Sequence, residues 1–79
     1  MVAGFVFIKC EPGQVENVAN KIMEIDGVSE VYSISGSYDL PAKVYVERYD
    51  DFPTVVPRWA HHIPGIRETS TLMTFNAFK

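Results

Sequence analysis

Ile25-Asp26-Gly27-Val28-Ser29-Glu30 returns 38 positions later as Ile63-Pro64-Gly65-Ile66-Arg67-Glu68, so a chain of 79 residues consists of two related halves. Val6 and Ile8 in the first half answer to Val44 and Val46 in the second. Each half reads strand, helix, strand. Val2 to Ile8 is a short apolar run rich in β-branched and aromatic residues, closed by the turn signal Glu11-Pro12-Gly13. Val15, Val18, Ala19, Ile22 and Ile25 then recur at helical spacing, with Glu16 in the first turn and Gly27 placed to cap the end. Val28 to Ser35 predicts the next strand.

The second half follows the same order. Leu40, Ala42, Val44 and Val46 alternate with Pro41, Lys43, Tyr45 and Glu47, which is the period of a half-buried strand. Pro41 has no amide to donate and belongs at a strand start or a bulge. Asp50-Asp51 offers capping oxygens, and Phe52, Val55, Val56, Trp59, Ala60 and Ile63 trace one helix face up to Pro64-Gly65. Pro57 falls inside that stretch, where it removes a hydrogen bond at a cost of roughly 3 kcal/mol, so a late start near Thr54 or a bend is expected. Ile66 to Phe75 closes the chain as a strand. Two such halves predict a ferredoxin-like α+β sandwich in βαββαβ order: a four-stranded antiparallel sheet with two helices on one face, residues 1–79 forming one domain.

Composition narrows the function classes. A domain near this size buries only about 60% of the surface its unfolded chain exposes, so self-association is an economical source of further stability. Seven basic against ten acidic side chains leave a formal charge of −3 without any run of like charge, which argues against a direct nucleic-acid partner. The lone Cys10 cannot form an intrachain disulfide, and the apolar start ends at Lys9, far short of a membrane span and without a basic leader. A cytoplasmic protein without a membrane partner is expected.

Two helices cover one sheet face, and little in 79 residues is left to cover the other. Along the first strand Phe5 and Phe7 point one way and Val6 and Ile8 the other, so both faces are apolar there. Burial of the uncovered face against a second copy is expected, a homo-oligomer built on a dimer.

Catalytic signatures do not emerge. His61 and His62 are adjacent and project differently from a helix, unlike a metal-binding i, i+4 pair. Cys10 has no CxxC partner, and the five glycines match neither a P-loop nor a dinucleotide fingerprint. Asp39, Glu47, Asp50 and Asp51 stand at spacings that demand no acid–base role. No enzyme, cofactor or metal is expected. One loop stands out. Gly36-Ser37-Tyr38-Asp39 gathers a permissive glycine, an aromatic ring and a carboxylate between two strands. Backbone amides there suit a carboxylate and Asp39 an ammonium, a combination fitted to a zwitterion. The same four residues also suit a plain hairpin turn, in which Gly36 supplies an unusual dihedral and Asp39 bonds its own backbone.

The strand before Pro12-Gly13, the stretch Ile25-Asp26-Gly27-Val28 through Val31-Tyr32, the Gly36-Ser37-Tyr38-Asp39-Leu40 turn, and Ile63-Pro64-Gly65-Ile66-Arg67-Glu68-Thr69-Ser70-Thr71 together resemble the RAM domain. That domain is the effector-binding C-terminal half of Lrp/AsnC transcription regulators. The resemblance runs essentially end to end. It implies a dimeric α/β-barrel-like arrangement in which sheets pack face to face, with dimers closing into octameric or decameric rings. It further implies an amino-acid effector between dimers, with Gly36, Ser37 and Tyr38 lining the pocket and Asp39 receiving the amino group. Thr69 and Thr71 would contact the carboxylate from a neighbouring subunit. Family regulators also carry an N-terminal helix-turn-helix, whereas this sequence opens directly on its first strand, like a stand-alone RAM protein. Pro41 and Pro57 depart from the family pattern. The expected function is a non-catalytic, amino-acid-responsive assembly module in transcription regulation of amino-acid metabolism, able to join complete Lrp/AsnC regulators. A small dimeric α/β-barrel enzyme of the monooxygenase or isomerase kind, or a ligand-free structural adaptor, are the rival expectations.

Overall fold

A computed structural model describes residues 1–79. The elements are β1 (Val2–Cys10), α1 (Val15–Met23), β2 (Val28–Val31), β3 (Leu40–Val46), α2 (Phe52–His62) and β4 (Ile66–Met73), with a 3-10 turn at Tyr49–Asp51 leading into α2. The sheet order is β2-β3-β1-β4 with every neighbouring pair antiparallel. This is the βαββαβ ferredoxin-like sandwich that the repeat predicts.

Strand alternation sorts the side chains. Val6, Ile8 and Cys10 of β1 and Leu40, Ala42 and Val44 of β3 are buried beneath the helices. Val18 and Ile22 close over them from α1, and Phe52, Val56 and Trp59 from α2. Each of the larger fully buried side chains contributes about 1.5–3 kcal/mol relative to exposure. The repeated glycines do the same work in both halves. Gly27 (φ +92°) and Gly65 (φ +100°) turn the chain after each helix, in the left-handed region that glycine enters without strain. The carbonyl of Gly27 accepts the Tyr45 amide at 2.8 Å, and that of Gly65 accepts the Glu11 amide at 2.8 Å. Each half is thereby hooked to the other.

The elements depart from the sequence expectation at four points. β2 ends at Val31 rather than Ser35, because Tyr32 and Ile34 gain no buried face and stay 57% and 43% exposed. α2 does not start late near Thr54; it begins at Phe52 and runs through Pro57, which lies in its interior, is exposed, and leaves the Pro53 carbonyl without its amide partner. Asp51 does not cap α2 with its side chain. Its Oδ2 instead accepts the Arg48 amide at 3.1 Å and pins the preceding turn. β4 stops at Met73, although the Thr74 amide still donates to the Ala3 carbonyl.

Candidate functional site

The register places Ala3, Phe5, Phe7 and Lys9 of β1 on the side away from the helices, opposite Tyr45, Lys43 and Pro41 of β3 and Leu72 and Ser70 of β4. Phe5, Tyr45 and Leu72 are 37%, 36% and 57% exposed, an apolar surface running across three strands. The charge of Lys43 is compensated within the chain. The Lys43 ammonium lies 3.9 Å from the Glu30 carboxylate and 5.4 Å from the centre of the Tyr45 ring, while the Tyr32 hydroxyl donates to Glu30. That hydrogen bond, and then the carboxylate's charge, push the Tyr32 phenol above its ordinary value. Sequence reading singled out neither Glu30 nor Lys43; the cue was available in alternation, because both fall on the open face once the strands are paired in register.

At one end of this surface stands the Gly36-Ser37-Tyr38-Asp39 loop. Gly36 adopts φ +116° with open space where a Cβ would be, and Ser37 is exposed. Tyr38 folds back onto the open face, its ring centre 5.9 Å from that of Phe7 at 60°. Asp39 is anchored twice: its amide donates to the Ile8 carbonyl at 3.0 Å, and its Oδ2 accepts the Cys10 amide at 2.8 Å. The second bond has a local cause. β3 pairs with β1 only as far as Ile8 and Leu40, so the Cys10 amide, on the β3 side beyond that last pair, has no ladder partner, and a carboxylate supplies the acceptor. Asp39 therefore bonds backbone as a hairpin turn would, though on the neighbouring strand instead of its own. Burial, and then the Asp39 charge, push the Cys10 thiol above its ordinary value. Oδ1 of Asp39 makes no hydrogen bond within the chain.

Thr69 and Thr71 lie elsewhere. They pair with Ile8 and Val6, so they face the helix side of β4, half-buried, across a groove of about 170 Å³ from Phe52, Val56 and Pro57. Their hydroxyls make no hydrogen bond within the chain. The chain thus brings Gly36, Ser37, Tyr38 and Asp39 together on the β3 side of β1 and leaves Thr69 and Thr71 on the β4 side. His61 and His62 are both exposed on α2. No helix is long and apolar enough to cross a membrane.

Comparison with known proteins gives the same frame. The chain is 31% identical over 78 residues to an uncharacterized HTH-type transcriptional regulator of Pyrococcus abyssi, covering 95% of this chain and 52% of that protein. The chain spans about half the length of the curated relatives it matches, and the helix-turn-helix part of those regulators has no counterpart among these 79 residues. Among solved structures, TTHA0845 from Thermus thermophilus superposes with a TM-score of 0.90 at 33% identity, covering 100% of this chain and 99% of that one. AsnC of E. coli shares the fold at a TM-score of 0.88 and 24% identity, over 99% of this chain and 53% of that one. The family described as Lrp/AsnC ligand binding domain matches residues 3–79. The split βαβ sandwich is thus a fold shared with a transcription regulator's ligand-binding half, and the chain belongs to the Lrp/AsnC ligand-binding-domain family.

Proposed function

We propose that this protein is a non-catalytic, amino-acid-responsive assembly module, working in the cytoplasm in transcription regulation. The observation that carries this reading is the state of Asp39. One carboxylate oxygen is fixed by the Cys10 amide and the other is without a partner, so the group is held in place and still able to accept an ammonium. Gly36, Ser37 and Tyr38 flank it and would line the pocket. Thr69 and Thr71 of a neighbouring copy would meet the ligand's carboxylate. A protein of the same fold from Neisseria meningitidis, 11% identical with a TM-score of 0.86, is described as a complex with L-Met, which lends support to an amino acid as ligand class.

Assembly follows from the open face. Two copies packed through Phe5, Tyr45 and Leu72 would form the dimer, and dimers would close into rings of eight or ten chains. A ligand seated between dimers stabilises whichever association state completes its contacts, by its differential affinity for that state. Because complete regulators of the family share the fold, their ligand-binding halves could pair with this one in mixed assemblies. Calorimetry with each of the twenty amino acids tests the sensor, using Asp39→Asn beside the wild type. Asparagine keeps an oxygen for the Cys10 amide and removes the charge, so loss of binding with an intact fold supports the proposal. Absence of heat with every amino acid refutes it.

A further inference from the structure

On the opposite side of the molecule from the open sheet face lies a groove between the two helices that plays no part in the site above. From the first helix and its C-terminal cap come Lys21, Glu24 and Ile25, spaced i, i+3, i+4; from α2 come Val55, Arg58, Trp59 and His62, spaced i, i+3, i+4, i+7. The α2 set is a single helical stripe, and it faces the end of α1 and the turn that follows across the groove. The groove is open to solvent along its length and holds about 450 Å³. It also straddles the internal repeat. At the offset of 38 that relates Ile25 to Ile63, Lys21 answers to Trp59 and Glu24 to His62.

Floor and rim differ in chemistry. Trp59 and Ile63 are buried and Ile25 and Val55 half-buried, while Lys21, Glu24, Arg58 and His62 are exposed. The chain forms only two ion pairs, Lys43 with Glu30 and Arg48 with Asp50, so Lys21 and Arg58 keep their charge unpaired. With His62 neutral, two cations against the single acid Glu24 leave the rim at +1 on a chain whose net charge is −3. Trp59, only 4% exposed, makes no hydrogen bond through its indole N–H. No buried side-chain nitrogen of the chain is sealed off without a partner, so that N–H reaches the surface.

We infer that this inter-helix groove binds a small aromatic monocarboxylate. The ring would lie on the Ile25, Val55 and Trp59 floor, and the carboxylate would pair with Lys21 and Arg58, the latter able to engage both oxygens. Glu24 repels a second negative group, which fits a monoanion rather than a dicarboxylate. The occupant is independent of the Gly36–Asp39 loop, so this inference stands or falls separately from the amino-acid reading.

Phenylacetate is a suitable probe, and Trp59 is the only tryptophan, so its emission reports on the groove directly. Titration should shift that emission saturably and move the amide resonances of residues 21–25, 55–56 and 58–63. The double variant Lys21→Glu, Arg58→Glu alters exposed side chains only and should keep the wild-type circular dichroism while weakening binding at least about tenfold. Asp39→Asn should bind phenylacetate as the wild type does, and phenethylamine, which carries the ring with the opposite charge, should not bind. The inference is overturned by any of four results: no saturable response into the millimolar range, a response that survives the double variant, one that Asp39→Asn abolishes, or equal binding of phenethylamine.

Discussion

Asp39 and Cys10 show how one carboxylate can be both a structural fastener and a candidate ligand group. Removing it in Asp39→Ala leaves the Cys10 amide without an acceptor at a part-buried strand end. The expected loss of stability is about 1–3 kcal/mol by urea denaturation, and Asp39→Asn should recover most of it. Sequence alone placed a carboxylate in a turn between two strands; it could not say which amide that carboxylate meets, because the amide lacks a partner only where β3 stops pairing with β1, at Ile8 and Leu40. The thiol of Cys10 carries a second consequence. Its folded pKa is raised above the ordinary 9.0, first by burial and then by Asp39. Below that ordinary value both folded and unfolded chains hold the proton. Above it the unfolded chain releases the proton while the folded chain retains it, so stability is full below pH 9.0 and declines as pH rises through the folded value. Urea midpoints measured across that window should fall less steeply for Cys10→Ala than for the wild type, since all other titrating groups are common to both.

The helices and strands were mostly legible, because apolar periodicity decides them: period 3.6 over Val15–Ile25 and Phe52–Ile63, period 2 over Val2–Ile8 and Leu40–Val46. What escaped was set by position within an element rather than by residue type. Pro57 is costly in a helix interior, and α2 nevertheless starts at Phe52 and carries the proline at its middle with one carbonyl unpaired, exposed to water. Pro57→Ala restores that bond and should stabilise the protein on the order of 1–2 kcal/mol, the helical cost of proline less the rigidity it lends the unfolded chain. Thermal unfolding checks it, and an unchanged or lowered midpoint would show that the solvated Pro53 carbonyl costs no more than the rigidity proline lends the unfolded chain. The glycines separate by surroundings in the same way. A Cβ on Gly65 would come within 2.8 Å of the Gln14 Cβ and 3.0 Å of the Val18 Cγ2, in addition to the strain of φ +100°. A Cβ on Gly36 would meet nothing within 4 Å. Gly65→Ala should therefore destabilise by about 1–3 kcal/mol and clearly more than Gly36→Ala, because the first change disturbs the hook between the two halves and the second strains a free loop.

Considered as one body, the protein has a radius of gyration of 12.0 Å and presents two unlike surfaces, a helical side with a charged rim and a sheet side with an apolar centre. The sheet side is the one that calls for company. Phe5 lies at the middle of the central strand, flanked by Lys43 on one neighbour and Leu72 on the other, and points away from the core. Lys43 is matched by Glu30 of its own chain, so a second copy would meet a neutral pair there rather than a naked charge. If two copies pack through this face, wild-type protein should sediment at a multiple of 8.9 kDa and scatter with a radius of gyration well above 12.0 Å. Phe5→Asp sets an unpaired carboxylate in the middle of each sheet face, and an uncompensated charge buried in an interface costs several kcal/mol. The variant should then sediment at 8.9 kDa with unchanged circular dichroism, since Phe5 contributes nothing to the layer beneath the helices. Thr54→Asp, an exposed change on the helical side, should leave the assembly intact. A wild-type protein that sediments at 8.9 kDa at micromolar concentration would leave Thr69 and Thr71 no neighbouring copy from which to reach the ligand, and a Phe5→Asp variant that still associates would place the interface elsewhere than on the sheet.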